Sequence, residues 1–381
     1  MALDFSEGLP LDAVALRDVA HDFASQRLRA AGAAADRGGN PPQGVLREAG
    51  EVGLWAPNVP EEYGGPGVSA LCQVAMMEEL GWGNLGLALG IATQALCALA
   101  VHRAGDDAQK ARLLGGLCGA EEFTLGALAL TDAQVADGEA GASPATADAT
   151  AGGWRLTGRK TFVANGRAAE VTIVRARGED GERLFAVGRG AAGLRASGRI
   201  DTSGLRALEL AEVELDGCEV PQEACLGAAD GGETAAAVVA LGRTLAAAGL
   251  VGTARAAYEE ASAYARSRKT FGKPIIEHGQ VGGQLAQMRL RIEAARLMVY
   301  RAAGDLDAQR SAKVSSAEAV YLAGETAVAA ARAGVQAFGG YGFTQEFPLE
   351  MWLRDAVGGR LAYGTGDDQL MEVAQAIAAG V

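Results

Sequence analysis

The stretch Arg268–Ile275, R-K-T-F-G-K-P-I, sets a guanidinium, a hydroxyl and an aromatic ring close together and then turns on Gly272 and Pro274. It lies between two long segments of helical period, so these groups are displayed at a helix terminus. A guanidinium offers a fork of donors that matches a phosphate, and a ring beside it suits a planar base. The chemistry this spacing allows is the holding of an anion joined to a flat heterocycle. A solvated basic turn accounts equally well for this stretch taken alone, so the choice rests on the remainder of the chain.

The elements that must position that turn are long helices. Leu285, Met288, Ile292, Ala295 and Val299 repeat at three and four, as do Val314, Ala317, Tyr321, Gly324, Val328, Ala331, Val335 and Phe338. Such stripes mark bundle helices packed near 20°, and small residues such as Gly324 and Ala331 permit close approach. The apolar window Ala235–Ala254 carries Arg243 at its middle and reads as a buried bundle helix. Toward the N-terminus, residues 11 to 36, a segment running into Gly53, Ala70–Leu80, 88 to 103 and 107 to 118 are helical in pattern. The turn formers of Pro57–Gly67 make a fixed loop between them. In the middle the period changes: Trp154–Val163, Val171–Arg175, Leu184–Val187 and Leu208–Leu215 are short apolar runs bounded by Gly and Asp-Gly turns. The Ala/Gly/Asp-rich stretch from Ala133 to Gly153 has no period and reads as a loop. The fold class is α+β: an all-helical domain over 1–124, a small β barrel or sheet domain over 125–228, and a four-helix bundle over 229–381.

Composition narrows the function. With 381 residues the chain can bury several cores. Its 49% hydrophobic and 21% charged residues are ordinary for a globular protein. The 34 basic against 47 acidic residues give a net charge of -13, which argues against a nucleic-acid or anionic-membrane surface. Five scattered cysteines without metal spacing read as free thiols, and with no secretory signal in M-A-L-D-F-S-E they place the chain in the cytoplasm. The three histidines, His21, His102 and His278, have no nucleophile beside them in sequence and read as structural. No metal constellation or phosphate loop occurs.

Three further motifs lie downstream: Q-A-F-G-G-Y-G-F from Gln336, F-P-L-E-M-W-L-R-D-A from Phe347 and Y-G-T-G-D-D-Q from Tyr363. With V-P-E-E-Y-G-G at Val59 and G-R-K-T-F-V-A-N-G at Gly158, and in this order, they resemble the acyl-CoA dehydrogenase family of FAD flavoproteins. The resemblance implies FAD between the β domain and the bundle. Arg268, Thr270 and Phe271 would meet its pyrophosphate and adenosine, and Gln336, Gly339 and Gly340 the same end from a second copy, so a homotetramer or homodimer is expected. Thr365 and Asp367 would lie along the ribityl and adenosine portion, and Thr131 and Phe162 beside the flavin ring. An acyl-CoA or acyl-carrier-protein substrate is expected, with an electron-transfer flavoprotein as acceptor.

The redox end departs from the family pattern. Ala133–Asp137 replaces most of a T-E-P-x-x-G-S-D loop, and Phe162-Val163-Ala164 stands where W-I-T or W-I-S is usual, so Ala164 cannot donate a hydrogen bond. The glutamate that takes the α-proton is replaced at both positions the family uses, by Tyr363 and by Gly242 before Arg243. An unperturbed phenol costs about 4 kcal/mol to ionise at neutral pH. Arg243, facing it, would offset part of that, and Glu78 or Glu79 would reach the pocket floor. Asp367 and Asp368, at a helix start after Gly364, would point away. The expectations are a thioester dehydrogenase with Tyr363 in the base's place and Arg243 and Gly242 at the substrate, a flavoenzyme of different chemistry (elimination, reduction or monooxygenation), or one subunit of a hetero-oligomer whose partner supplies the glutamate.

Overall fold

The computed structural model describes residues 9–38, 42–119, 123–132, 144–227 and 231–380. The N-terminal third is helical: α1 (Leu11–Phe23) runs through a π-helical turn into α2 (Arg29–Gly38), followed by α3 (Gln43–Glu51), α4 (Ala70–Gly83), α5 (Leu85–Ala104) and α6 (Asp107–Leu117). Short polar residues set the starts. Ser69 caps α4, Asn84 caps α5, and Asp106 with Gln109 forms a capping box on α6. The Gln109 amide also donates to the Glu223 and Cys225 carbonyls at 2.9 and 2.6 Å, tying this domain to the next.

The middle of the chain forms β1 (Gly126–Ala129), β2 (Thr146–Thr150), β3 (Gly153–Ala164), β4 (Val171–Gly178), β5 (Gly181–Gly188), β6 (Leu194–Arg199) and β7 (Leu210–Pro221). Their order is β1-β4-β2-β3-β7-β6, with β5 on β4. The expected loop from Ala133 to Gly153 is corrected in part: Thr146–Thr150 pairs antiparallel with β3, while 133–143 lie outside the described residues. β1 lies parallel to β4 and pairs register by register with it. Between Lys160 and Val163 the β3–β7 register slips, which turns Phe162 out of the sheet.

The C-terminal part holds α7 (Gly231–Ser267), the two-stranded hairpin of β8 (Lys269–Thr270) and β9 (Lys273–Pro274), then α8 (Gly279–Asp307), α9 (Lys313–Phe338), α10 (Leu349–Gly359) and α11 (Gly366–Ala379). The predicted stripe on α8 is buried throughout. On α9 Ala317, Gly324, Ala331 and Phe338 of the predicted stripe are buried, and the buried face widens to take in Val320, Ala323, Ala327 and Ala330, with Tyr321 and Val328 only half-buried, because α7 and α11 pack on it from different sides.

α7 is the central element, buried along most of its length by α4, α5, α8 and α9. It and α5 are long and apolar enough to cross a membrane, yet 83% and 94% of their most apolar windows are buried inside the protein. The approach of α4 to α7 depends on glycine. A Cβ at Gly252 would lie 1.9 Å from the Glu78 carbonyl oxygen, and one at Gly81 would lie 2.2 Å from that of Gly249. At this crossing Arg255 donates to Glu78 at 3.0 Å and to both oxygens of Glu79, Arg296 from α8 donates to both oxygens of Glu78 at 2.8 Å, and His21 Nδ1 meets Glu79 at 2.8 Å. Glu78 and Glu79 therefore do not reach a pocket floor: they are buried counter-charges joining α1, α4, α7 and α8. Burial alone would raise the Glu79 carboxyl, but its His21 and Arg255 partners hold it down at about 2.

Candidate functional site

The α7 helix ends at Ser267, where the chain turns back on itself as β8–β9 and the Ile275 N–H closes onto the Arg268 carbonyl at 2.8 Å. Arg268 is exposed and makes no ion pair among the described residues. The Thr270 hydroxyl lies 3.1 Å from His278 Nε2, so His278 braces the turn. Phe271 is 97% exposed on a backbone of φ 49°. A large apolar ring bare to solvent in a left-handed conformation is unfavourable twice over, and such residues collect where a ligand or partner covers them. Tyr264 of α7 stacks on Phe338 of α9 at 4.0 Å, bringing the end of α9 beside the end of α7. There Gly339 (φ 60°) and Gly340 would each accept a Cβ with no atom within 4 Å, so their backbone is open to approach. Gln336 lies in a groove of about 270 Å3 with Gln284, Gln287, Arg291 and Arg332. No hydrogen bond or ion pair joins Arg268–Phe271 to Gln336–Gly340 among the described residues. Both patches present free donors, bare backbone and an uncovered ring, a donor set that fits the nucleotide half of FAD.

The expected ring end is less well furnished. Phe162, on φ 50°, is 60% exposed at the β3 bulge. Ala164 pairs with Leu210 through its backbone and brings no hydroxyl. Thr131 is exposed, and its carbonyl accepts the Thr161 N–H at 3.1 Å. Beside it Asp132 takes a hydrogen bond from the buried Lys160 ammonium. Ala133–Asp137 lie outside the described residues. This end fits an apolar flat surface and holds no side-chain donor at 164.

Tyr363 lies in the turn between α10 and α11 on φ 58°. Its ring lies over α7 at Gly242, where an added Cβ would stand 2.8 Å from Cζ. Its hydroxyl end is directed toward Thr93 of α5. Burial, with the Cys97 thiol adding to it, pushes the phenol well above its ordinary value, and the nearby Thr93 hydroxyl offsets only part of this. Both positions at which a glutamate was expected are thus occupied by one uncharged ring. The expected help from Arg243 is corrected. Its Nε donates to the Tyr363 carbonyl at 3.1 Å, while its two terminal nitrogens clasp Glu372 at 2.6 and 3.2 Å, so its charge is engaged away from the phenol. Thr365 and Asp368 form the capping box that starts α11, and Asp367 is exposed.

Outside this wall opens a cleft of about 850 Å3 between the β domain, α7 and the α8–α9 connection. Its cationic lining is Arg103, Arg175, Arg243, Arg310 and Lys313, and its carboxylates are Glu182, Glu233 and Glu372. Arg175 faces Glu182 at 3.7 Å and Arg310 faces Asp305 at 2.7 Å. Arg103 and Lys313 make no ion pair among the described residues. Sequence reasoning missed Glu372, Thr93 and the cleft's basic rim. Only the Arg310–Lys313 rim had a signal, a basic connection between two predicted helices.

The chain matches the acyl-CoA dehydrogenase N-terminal domain over residues 11–121, the middle domain over 127–218 and the C-terminal domain over 229–378. It is 31% identical to a short-chain specific acyl-CoA dehydrogenase of Megasphaera elsdenii, over 93% of this chain and 94% of that protein. It is also 31% identical to an L-prolyl-[peptidyl-carrier protein] dehydrogenase of Pseudomonas fluorescens, over 84% of this chain and 86% of that one. Among solved structures, PigA with FAD and proline superposes with a TM-score of 0.91 at 26% identity, over 100% of both chains.

Proposed function

The chain belongs to the acyl-CoA dehydrogenase family, and from that membership we propose an FAD-dependent oxidoreductase that acts on an acyl thioester of CoA or a carrier protein without carboxylate-driven α-deprotonation. When bound, FAD supplies a two-electron acceptor and donor. Arg268, Thr270 and Phe271 hold its nucleotide half, the guanidinium neutralising phosphate charge. Gln336, Gly339 and Gly340 complete that end from a second copy, a reading supported by the exposure of both patches and the absence of a bond between them. Phe162 packs against the flavin ring, and Thr131 lies beside it. An electron-transfer flavoprotein is the proposed redox partner, and the cytoplasm the proposed location.

Arg103 and Lys313 at the rim of the cleft suit the phosphate of a pantetheine arm. The observation that carries the absence of base chemistry is the Tyr363 ring on Gly242. A phenol raised above its ordinary value costs more than about 4 kcal/mol to ionise at neutral pH, so it holds its proton and serves as a neutral hydrogen-bonding group. A second reading is favoured by Glu372, which lines the cleft and is clasped by the same Arg243 that bonds the Tyr363 carbonyl: α,β-dehydrogenation with Glu372 as a displaced proton acceptor.

The experiment mixes flavin-loaded protein anaerobically with saturated acyl-CoAs in heavy water and follows the visible flavin band and deuterium at the α-carbon. The proposal expects the band to persist and no deuterium to enter. Bleaching with α-exchange would refute it, and loss of both in Glu372→Gln would establish the second reading.

A further inference from the structure

Val239, Ala240 and Arg243 of α7 form part of the cleft's lining. Immediately behind Arg243, the Tyr363 ring spans from Gly242 on α7 to Thr93 on α5. Two things fix the ring there. The side chain leaves a left-handed backbone next to Gly364, and Arg243 holds the carbonyl. Gly242 makes the space, since any larger residue would press on three ring carbons. The neighbours on the far side, Thr93 and Cys97, are fully inside the protein. The ring therefore occupies the space between α5 and α7 at Gly242, one residue along α7 from the cleft-lining Arg243.

We propose that Tyr363 is a specificity-determining residue: it fills the chamber into which an acyl chain would extend, so the protein accepts only thioesters of very short acyl groups. The proposal rests on the reading that a thioester enters the cleft with its acyl end inward. A longer chain has to displace a ring wedged between α7 and α5, whereas a chain admitted to an open apolar chamber gains about fourfold in affinity per buried methylene.

Two measurements on the flavin-loaded protein test this. The first uses benzene, which binds an enclosed apolar void and needs no thioester. Tyr363→Ala is expected to bind it, seen as a rise in Tm, and wild type and Tyr363→Phe are not. The second measures dissociation constants for acetyl-, butyryl-, hexanoyl- and octanoyl-CoA by calorimetry. Wild type and Tyr363→Phe should weaken steeply beyond butyryl, while Tyr363→Ala should bind octanoyl-CoA about a hundredfold more tightly than wild type does. Tight binding of octanoyl-CoA by wild type overturns the proposal whether or not the alanine variant folds. So does a chain-length profile that Tyr363→Ala leaves unchanged. If benzene binds the alanine variant but neither protein binds any acyl-CoA, the thioester reading itself fails.

Discussion

Replacing Gly242 by alanine should change sign with what stands at position 363. A Cβ at 242 would lie 2.8, 2.9 and 3.0 Å from Cζ, Cε1 and Cε2 of Tyr363, whereas carbon atoms sit comfortably at about 3.5–4.0 Å. The overlap involves a ring whose backbone carbonyl is held by Arg243 and whose far side faces α5, so relief requires α7 or the ring to shift. Overpacking of this kind costs about 1–3 kcal/mol. Against it, alanine in a helix interior gains about 1 kcal/mol over glycine. In the wild-type background Gly242→Ala should therefore lower stability by up to about 2 kcal/mol. In a Tyr363→Ala background the overlap is gone, and the same change should raise stability by about 1 kcal/mol. Urea unfolding of the four proteins, at equal flavin loading, gives the coupling as the departure from additivity, expected near the overpacking cost itself. Additive effects within about 0.5 kcal/mol would mean that the ring does not lie over Gly242, and the reading of the chamber as filled would be withdrawn.

Two further outcomes follow from other parts of the molecule. Arg268→Ala should purify largely without flavin, since losing a charged donor to phosphate costs about 1.5–3 kcal/mol; the ratio of flavin to protein absorbance reads this, and full occupancy would contradict the assignment. Asp355 is buried on α10 beside the loop of the β domain, accepting the Leu205 N–H at 2.6 Å, and burial raises its carboxyl to about 7 against the weaker pull of that hydrogen bond. A carboxyl whose pKa rises on folding favours the native state only while protonated, so wild-type stability should fall relative to Asp355→Asn as pH climbs from about 4 to about 7. The gap should approach about 4 kcal/mol above that window, and a pH-independent gap in urea unfolding would show that Asp355 is already ionised in the folded protein.

What the sequence made legible was periodic or punctuated. The stripe on α8 and the turn at Gly272 and Pro274 carry their signals locally, and both stand where the pattern put them. β1 and β2 did not, because G-A-L-A holds no β-branched or aromatic residue and T-A-D-A-T has only its two terminal threonines around an Ala-Asp-Ala centre poor in strand preference. They are strands because β4 and β3 offer them ladders, which is a tertiary cause. The chemistry failed in the same way. That positions 363 and 242 lack a carboxylate could be read directly, but that a single ring fills both could not. Nor could the diversion of Arg243 to Glu372, a partner 129 residues away. Conversely, the exposure of Phe271 was legible in kind, since an aromatic residue before glycine at a tight turn has little of its own chain to pack against.

The charge cluster at the α4–α7 crossing also sets a timetable for biosynthesis. Glu79 emerges from the ribosome 176 residues before Arg255, and Glu78 emerges 218 residues before Arg296. At about 5–20 residues per second, the N-terminal helices exist for roughly 10–35 s before the first guanidinium that neutralises them has been made. During that interval Glu79 has only His21 beside it and Glu78 has neither of its guanidinium partners, so the α4 face that carries them stays wet and the Gly81–Gly252 contact has nothing to close on. Release of the bundle, rather than completion of the first domain, is then the event that commits the nascent chain to its fold.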